Sequence, residues 1–188
     1  TLSAQARIRY GNMAFSSPPI ALVPSQNQFD LSLPVFEVSV DRSLIHAGTH
    51  HIILRRNANR LAITEYLQLV NDSDKAVLSD RKDPQDRPVV MEIDLPAGFR
   101  ELSFSSYFHP DAAVVTDSGF YDTMAIPPGR HPAVYSYTLA ARGSTMEIAK
   151  KITIPATEVM IFAQLDGAAV AGLGPSQGKM TLKDGTAA

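Results

Sequence analysis

From Arg60 to Val70 apolar and polar residues alternate: Leu61, Ile63, Leu67 and Leu69 fall on one side, Ala62, Thr64, Tyr66 and Gln68 on the other. A period of two is that of a strand with one buried face, and its regularity predicts a central strand. The preceding run His50-His51-Ile52-Ile53-Leu54-Arg55-Arg56 ends in Asn57-Ala58-Asn59. Asn tolerates left-handed backbone, so the two runs are expected to pair as a hairpin. After Val70, Asn71-Asp72-Ser73-Asp74 reads as a turn, and the charged stretch 75–87 as a solvated, mobile loop.

Alternation resumes at 89–95. Pro96-Ala97-Gly98 then turns the chain into a strand at 102–105, and further strands are expected at 119–121 and 133–139, divided by Ile126-Pro127-Pro128-Gly129. Ile148, Ile152 and Ile154 keep a two-residue period, although 144–147 also fits a helix capping box; a strand is the favoured reading. Thr157 to Leu165 predicts a last strand. Residues 1–40 repeat the style, with strands either side of Gly11-Asn12 and a run from Phe29 to Val40 that Pro34 confines to a sheet edge. Thirteen prolines from Pro18 to Pro175 punctuate these runs. About ten short strands with turns every 8 to 12 residues predict an all-β chain folded as an antiparallel β-sandwich. A small N-terminal β segment (1–40), a main sandwich (41–166) and a Gly- and Ala-rich tail (167–188) complete the expected organisation.

Seventeen Lys and Arg stand against 19 Asp and Glu, so no field exists to gather nucleic acid or anionic lipid. No run approaches the roughly 18 apolar residues of a membrane span. The absence of Cys excludes thiol nucleophiles, cysteine metal sites and disulfides, but locates the protein in neither an oxidising nor a reducing compartment. Thr1 is not preceded by a basic and apolar leader, which fits both a processed exported chain and a trimmed one.

Several pieces together resemble a known group. Val38-Ser39-Val40-Asp41 leads to Ile45, followed by His50-His51-Ile52-Ile53, Leu61-Ala62-Ile63-Thr64-Glu65-Tyr66 and Val70-Asn71-Asp72-Ser73-Asp74. Asp94-Leu95-Pro96-Ala97-Gly98 and Ile126-Pro127-Pro128-Gly129 precede Tyr135-Ser136-Tyr137. Over residues 35–165 this pattern resembles bacterial extracytoplasmic proteins built from carboxypeptidase-regulatory-like, transthyretin-like and immunoglobulin-like β-sandwich domains. Before Val38 only part of a transthyretin-like unit is present. The resemblance implies an exported, periplasmic or extracellular, mostly non-enzymatic protein, often tethered to a membrane, and brings no catalytic residues or cofactor with it.

The side chains themselves offer few constellations. His46, His50, His51, His109 and His131, with Asp41, Asp111 and Asp122, are the candidates for a metal site. His50 and His51 are expected on opposite strand faces, and His46 could meet His50 only across a turn at Gly48. Satisfied or exposed histidines are the simpler reading, under which replacing any one of them should cost little. No Gly-x-Ser-x-Gly or phosphate-binding glycine loop occurs. Asp72-Ser73-Asp74 suggests calcium less economically than an Asx-turn. Glu65 shares its strand face with four aliphatic residues and is the acid to examine first; an ion pair with Arg55, Arg56 or Arg60 at the sandwich edge is its expected environment.

Tyr107, Phe108, Phe120 and Tyr121, with Met124, have the composition of a protein interface. They and the tail from Gly167 onward are expected to lie against a neighbouring chain. The reading these features support is a non-enzymatic docking or scaffold subunit of a membrane-bound or envelope assembly, an electron-transfer or photosynthetic complex among them. A carbohydrate-binding module and, third, a metal-dependent enzyme using the histidines are the alternatives.

Overall fold

The computed structural model describes residues 2–10, 13–17, 20–23, 28–30, 32–141, 145–165 and 170–172. The expected tail from Gly167 therefore falls almost wholly outside the described residues. Four short strands come first: β1 (Ser3–Ala4), β2 (Arg7–Tyr10), β3 (Met13–Ser16) and β4 (Ile20–Ala21), with β1 pairing β4 and β2 pairing β3. β5 (Val38–Ser39) is the strand found among the described residues of the run from Phe29 to Val40. A 3-10 turn at Arg42–Leu44, capped by the Asp41 carboxylate, leads into β6 (Ile45–Asn57) and β7 (Arg60–Asn71). β8 (Ala76–Val77), β9 (Met91–Asp94), β10 (Arg100–Ser106), β11 (Ala113–Thr116), β12 (Gly119–Asp122), β13 (Gly129–Ala140) and β14 (Val159–Gln164) follow. No α-helix occurs among the described residues, so the chain is all-β as its alternation predicts.

Two sheets face each other. The larger has the order β10-β13-β7-β6-β14, which places β7 at its centre, and the smaller has the order β11-β12-β9. Leu61, Ile63, Leu67 and Leu69 of β7 are buried against Met91, Ile93 and Phe120 of the smaller sheet. The opposite residues of β7, from Ala62 to Gln68, are partly exposed, as a period of two requires.

β6 carries a register shift between Ala47 and His50. Ahead of it Ile45 and Ala47 face inward; beyond it His50, Ile52 and Leu54 do. One extra residue in the strand exchanges its faces, and this bulge is what turns His50 into the core. Gly48 lies within the strand, against the side chain of Val70, and makes no turn.

Two regions depart from the sequence reading. The stretch 75–87 is not simply a solvated loop: β8 is buried and pairs in parallel with β5, and Val77 exchanges backbone hydrogen bonds with Ile126. Asn71 organises the turn before it, its side-chain oxygen accepting from the Ser73 amide and hydroxyl while its nitrogen donates to the carbonyls of Lys75 and Ile126. Residues 145–158 form no strand. They run beside β9, where the Thr153 hydroxyl donates to the Glu92 carbonyl at 2.6 Å, and then join β6. Backbone bonds among Ala47, Pro155 and Thr157 guide the chain into β14, which pairs with β6 in parallel. That parallel pair is the exception in an otherwise antiparallel sheet.

Candidate functional site

Glu65 lies midway along β7 with its side chain in the core and 0% of its surface exposed. Strand register determines what surrounds it. Tyr135 of β13 is its direct cross-strand partner, Tyr137 is one step further along the same inward face, and His50 of β6 is its diagonal neighbour. The Tyr135 hydroxyl donates to Oε2 at 2.6 Å and the Tyr137 hydroxyl to Oε1 at 2.9 Å. His50 Nε2 lies 2.7 Å from Oε2. The fourth partner comes from outside the sheet: Lys150, in the segment beside β9, brings Nζ to 3.2 Å from Oε1. The same ammonium donates to the Asp94 carbonyl of β9 at 2.5 Å and lies over the Tyr135 ring.

Burial works against the Glu65 charge. The hydrogen bonds from His50 and Tyr135 and the charge of Lys150 outweigh it, holding the carboxyl below its ordinary value. Burial also lowers Lys150, against the pull of Glu65 and Asp94. It raises the Tyr135 and Tyr137 hydroxyls, which the Glu65 charge raises further. Glu65 is therefore an anion, and the proton in its contact with His50 belongs to Nε2. An ionised carboxylate accepts about four hydrogen bonds, and all four places are taken. With no spare lone pair and no exposed surface, this carboxylate cannot reach a proton on a substrate in this conformation. What it does is join β6, β7, β13, the 145–158 segment and, through Lys150, the backbone of β9.

The expected arginine partners are elsewhere. Arg60 pairs with Glu101 and Arg55 bonds Gln164, because both stand at the hairpin end of β6 and β7, several residues from Glu65 along the strand. The histidines also separate. His50 and His51 take opposite faces, His51 stacking edge-on against Phe162; His46 precedes the bulge and so faces away from His50. His109 is exposed beside Asp111, and His131 bonds the Pro127 carbonyl. Asp41 is spent on its cap. No group of three or more potential ligands gathers among the described residues.

Asp122 is a second buried acid, at the inner end of β12, with 0% exposure. Its Oδ1 accepts from the Met124 amide at 3.1 Å, whereas Oδ2 has no partner among the described residues. Burial pushes its carboxyl up to about 6, the amides of Met124 and Thr123 and the charge of His109 opposing. Tyr107 faces it and is raised by burial and by the Asp122 charge.

Of the residues expected at a partner surface, Phe108 and Phe120 are buried. They pack edge-to-face on each other, with Phe104 and Tyr135 around them, and this takes both out of a docking surface. Two of the segment's four aromatics fill the space between two sheets, a use that composition does not separate from an interface. Tyr107, Tyr121 and Met124 keep partial exposure; the Tyr107 hydroxyl donates to the Ala125 carbonyl and the Tyr121 hydroxyl to Asp83.

His50, Tyr135, Tyr137 and Lys150 are the site residues that sequence reasoning did not assign. Lys150 had a signal: it falls in the same two-residue register as Ile148, Ile152 and Ile154, so a cation was due among apolar neighbours. No protein-family model, curated protein or solved structure matches the chain.

Proposed function

We propose that this chain is a non-enzymatic, exported β-sandwich that serves as a docking or scaffold subunit of a membrane-bound or envelope protein assembly. The observation that carries this reading is the closure of the Glu65 cluster: these ionisable side chains are consumed in holding two sheets and a crossing segment together. The exterior is where interaction chemistry remains. Val115 on β11 and Val159 on β14, both edge strands, leave 56% and 43% of their surface exposed, as a partner contact would use. Sugar stacking has less support, since Phe108 and Phe120 are interior and the Tyr121 hydroxyl is engaged. No helix among the described residues is long and apolar enough to cross a membrane.

The test is native-gel and sedimentation analysis of the tagged chain extracted from its native membranes in mild detergent. The reading expects it in fixed stoichiometry with one defined set of proteins. Recovery as free monomer alone overturns it.

A further inference from the structure

At one end of the larger sheet, the β6–β7 hairpin, the start of β10 and the last residues of β13 enclose an open cleft of about 780 Å³. Arg56, Arg60 and Arg100 line it from three different strands, and Glu101 is the one acid in its lining. Three cations against one anion leave two positive charges. Arg60 is paired with Glu101, whose other oxygen accepts from the Thr138 hydroxyl at 3.2 Å. Arg56 makes no ion pair among the described residues, and Arg100 spends one nitrogen on the carbonyl of its neighbour Phe99.

The backbone is shaped for this arrangement. Glu101 has a left-handed φ of 54°, and the pairing of β10 with β13 shifts register between Arg100 and Ser103. Adjacent residues of a regular strand point to opposite faces; the irregularity lets Arg100 and Glu101 line the same cleft. β13 also outlasts β10. Their pairing begins at Arg100 and Thr138, whereas β13 stays paired with β7 as far as Ala140 and Arg60. The Ala141 amide donates to the Asn59 carbonyl on the β7 side. Alternation then turns the N–H and C=O of Ala140 to the other side, where β10 has no residue paired with it.

We propose that this cleft receives an extended acidic segment of a partner protein. The main chain of that segment adds to the Ala140 edge and its carboxylates meet the guanidiniums of Arg56 and Arg100, which match carboxylates in bidentate geometry. The open main-chain edge favours a peptide over an anionic polysaccharide or a lipid headgroup, neither of which extends a sheet. This inference rests on the docking reading and gives it a contact chemistry.

The experiment is fluorescence anisotropy of the full chain with a labelled short peptide of alternating Glu and Thr, with the same peptide N-methylated at alternate amides, with a heparin oligosaccharide and with phosphatidylglycerol vesicles. Saturable binding of the plain peptide is expected, weakened at least about tenfold both by Arg56→Ala with Arg100→Ala and by N-methylation. Both arginines are exposed, so an unchanged circular dichroism spectrum is expected of the variant. Equal affinity of variant and parent, equal affinity of the methylated peptide, or tighter binding of heparin or vesicles overturns the proposal. If the chain comigrates with an assembly but does not bind the peptide, the cleft proposal fails and the docking reading stands. If it binds the peptide but joins no assembly, the docking reading fails instead.

Discussion

Glu65 and Tyr135 stand directly opposite each other on β7 and β13 and share a 2.6 Å hydrogen bond at the centre of the core. A one-residue slip between these strands would send Tyr135 to the outer face and strand the carboxylate. A two-residue slip would keep the aliphatic face inward but part Tyr135 from Glu65, so the polar pair specifies register where aliphatic neighbours alone would not. His50, Tyr137 and Lys150 extend that specification to β6 and to the segment beside β9.

Glu65→Gln keeps the shape but removes the charge facing Lys150. Breaking one side of a buried ion pair costs about 3 to 5 kcal/mol, and urea unfolding should show a loss of that size. A loss below about 1 kcal/mol would mean that the cluster does not hold the sheets together.

His50→Ala leaves one buried Glu65 oxygen short of a donor and should cost about 1 to 3 kcal/mol. His109→Ala, at an exposed site, should stay within about 0.5 kcal/mol. The expectation that all five histidines are dispensable for stability thus gives way at His50. Thermal melts of the two variants side by side separate these outcomes.

Asp122 should oppose Glu65 in its dependence on pH. Its carboxyl titrates near 6 in the fold against 3.8 unfolded, so between these values the folded protein holds the extra proton. Stability from this group is full below 3.8 and falls as pH rises through 6, by about 3 kcal/mol in all. Glu65 behaves the other way, its contribution being full above 4.5 and lost as pH falls through its lowered value. Asp122→Asn should abolish the decline between pH 4 and 6 in denaturant midpoints; a decline that persists in the variant would assign it to another group.

Leu67 is buried on β7 two residues from Glu65. Leu67→Ala should destabilise by about 2 to 5 kcal/mol through the cavity it leaves, read from urea unfolding. A loss under about half a kcal/mol would place this strand outside the core.

The β-class, the β6–β7 hairpin and the inward face of β7 were legible because alternation reports directly which side of a strand is buried. The bulge in β6 was not, since a phase change after Gly48 shows only when Ile45 and Ala47 are compared with Ile52 and Leu54. Glu65 stood out as an acid on an apolar face, but its partners could not be read from sequence proximity. Tyr135 and Lys150 lie 70 and 85 residues beyond it in the numbering and reach it through pairings that only the folded topology creates. The nearby arginines were plausible by sequence and wrong by geometry, being close along the chain but at the hairpin end. The burial of Phe108 and Phe120 was hidden for a related reason: a segment without regular alternation can still aim single rings into the core.

On the reading proposed above, the Glu65 cluster serves the structure of the sandwich. The most direct measurement is the titration of the Glu65 carboxyl carbon by carbon-13 NMR in the folded protein. The account predicts an ionised carboxylate across about pH 5 to 8, with its midpoint below the ordinary 4.5. A midpoint near pH 7, where a general acid or base works, would contradict it.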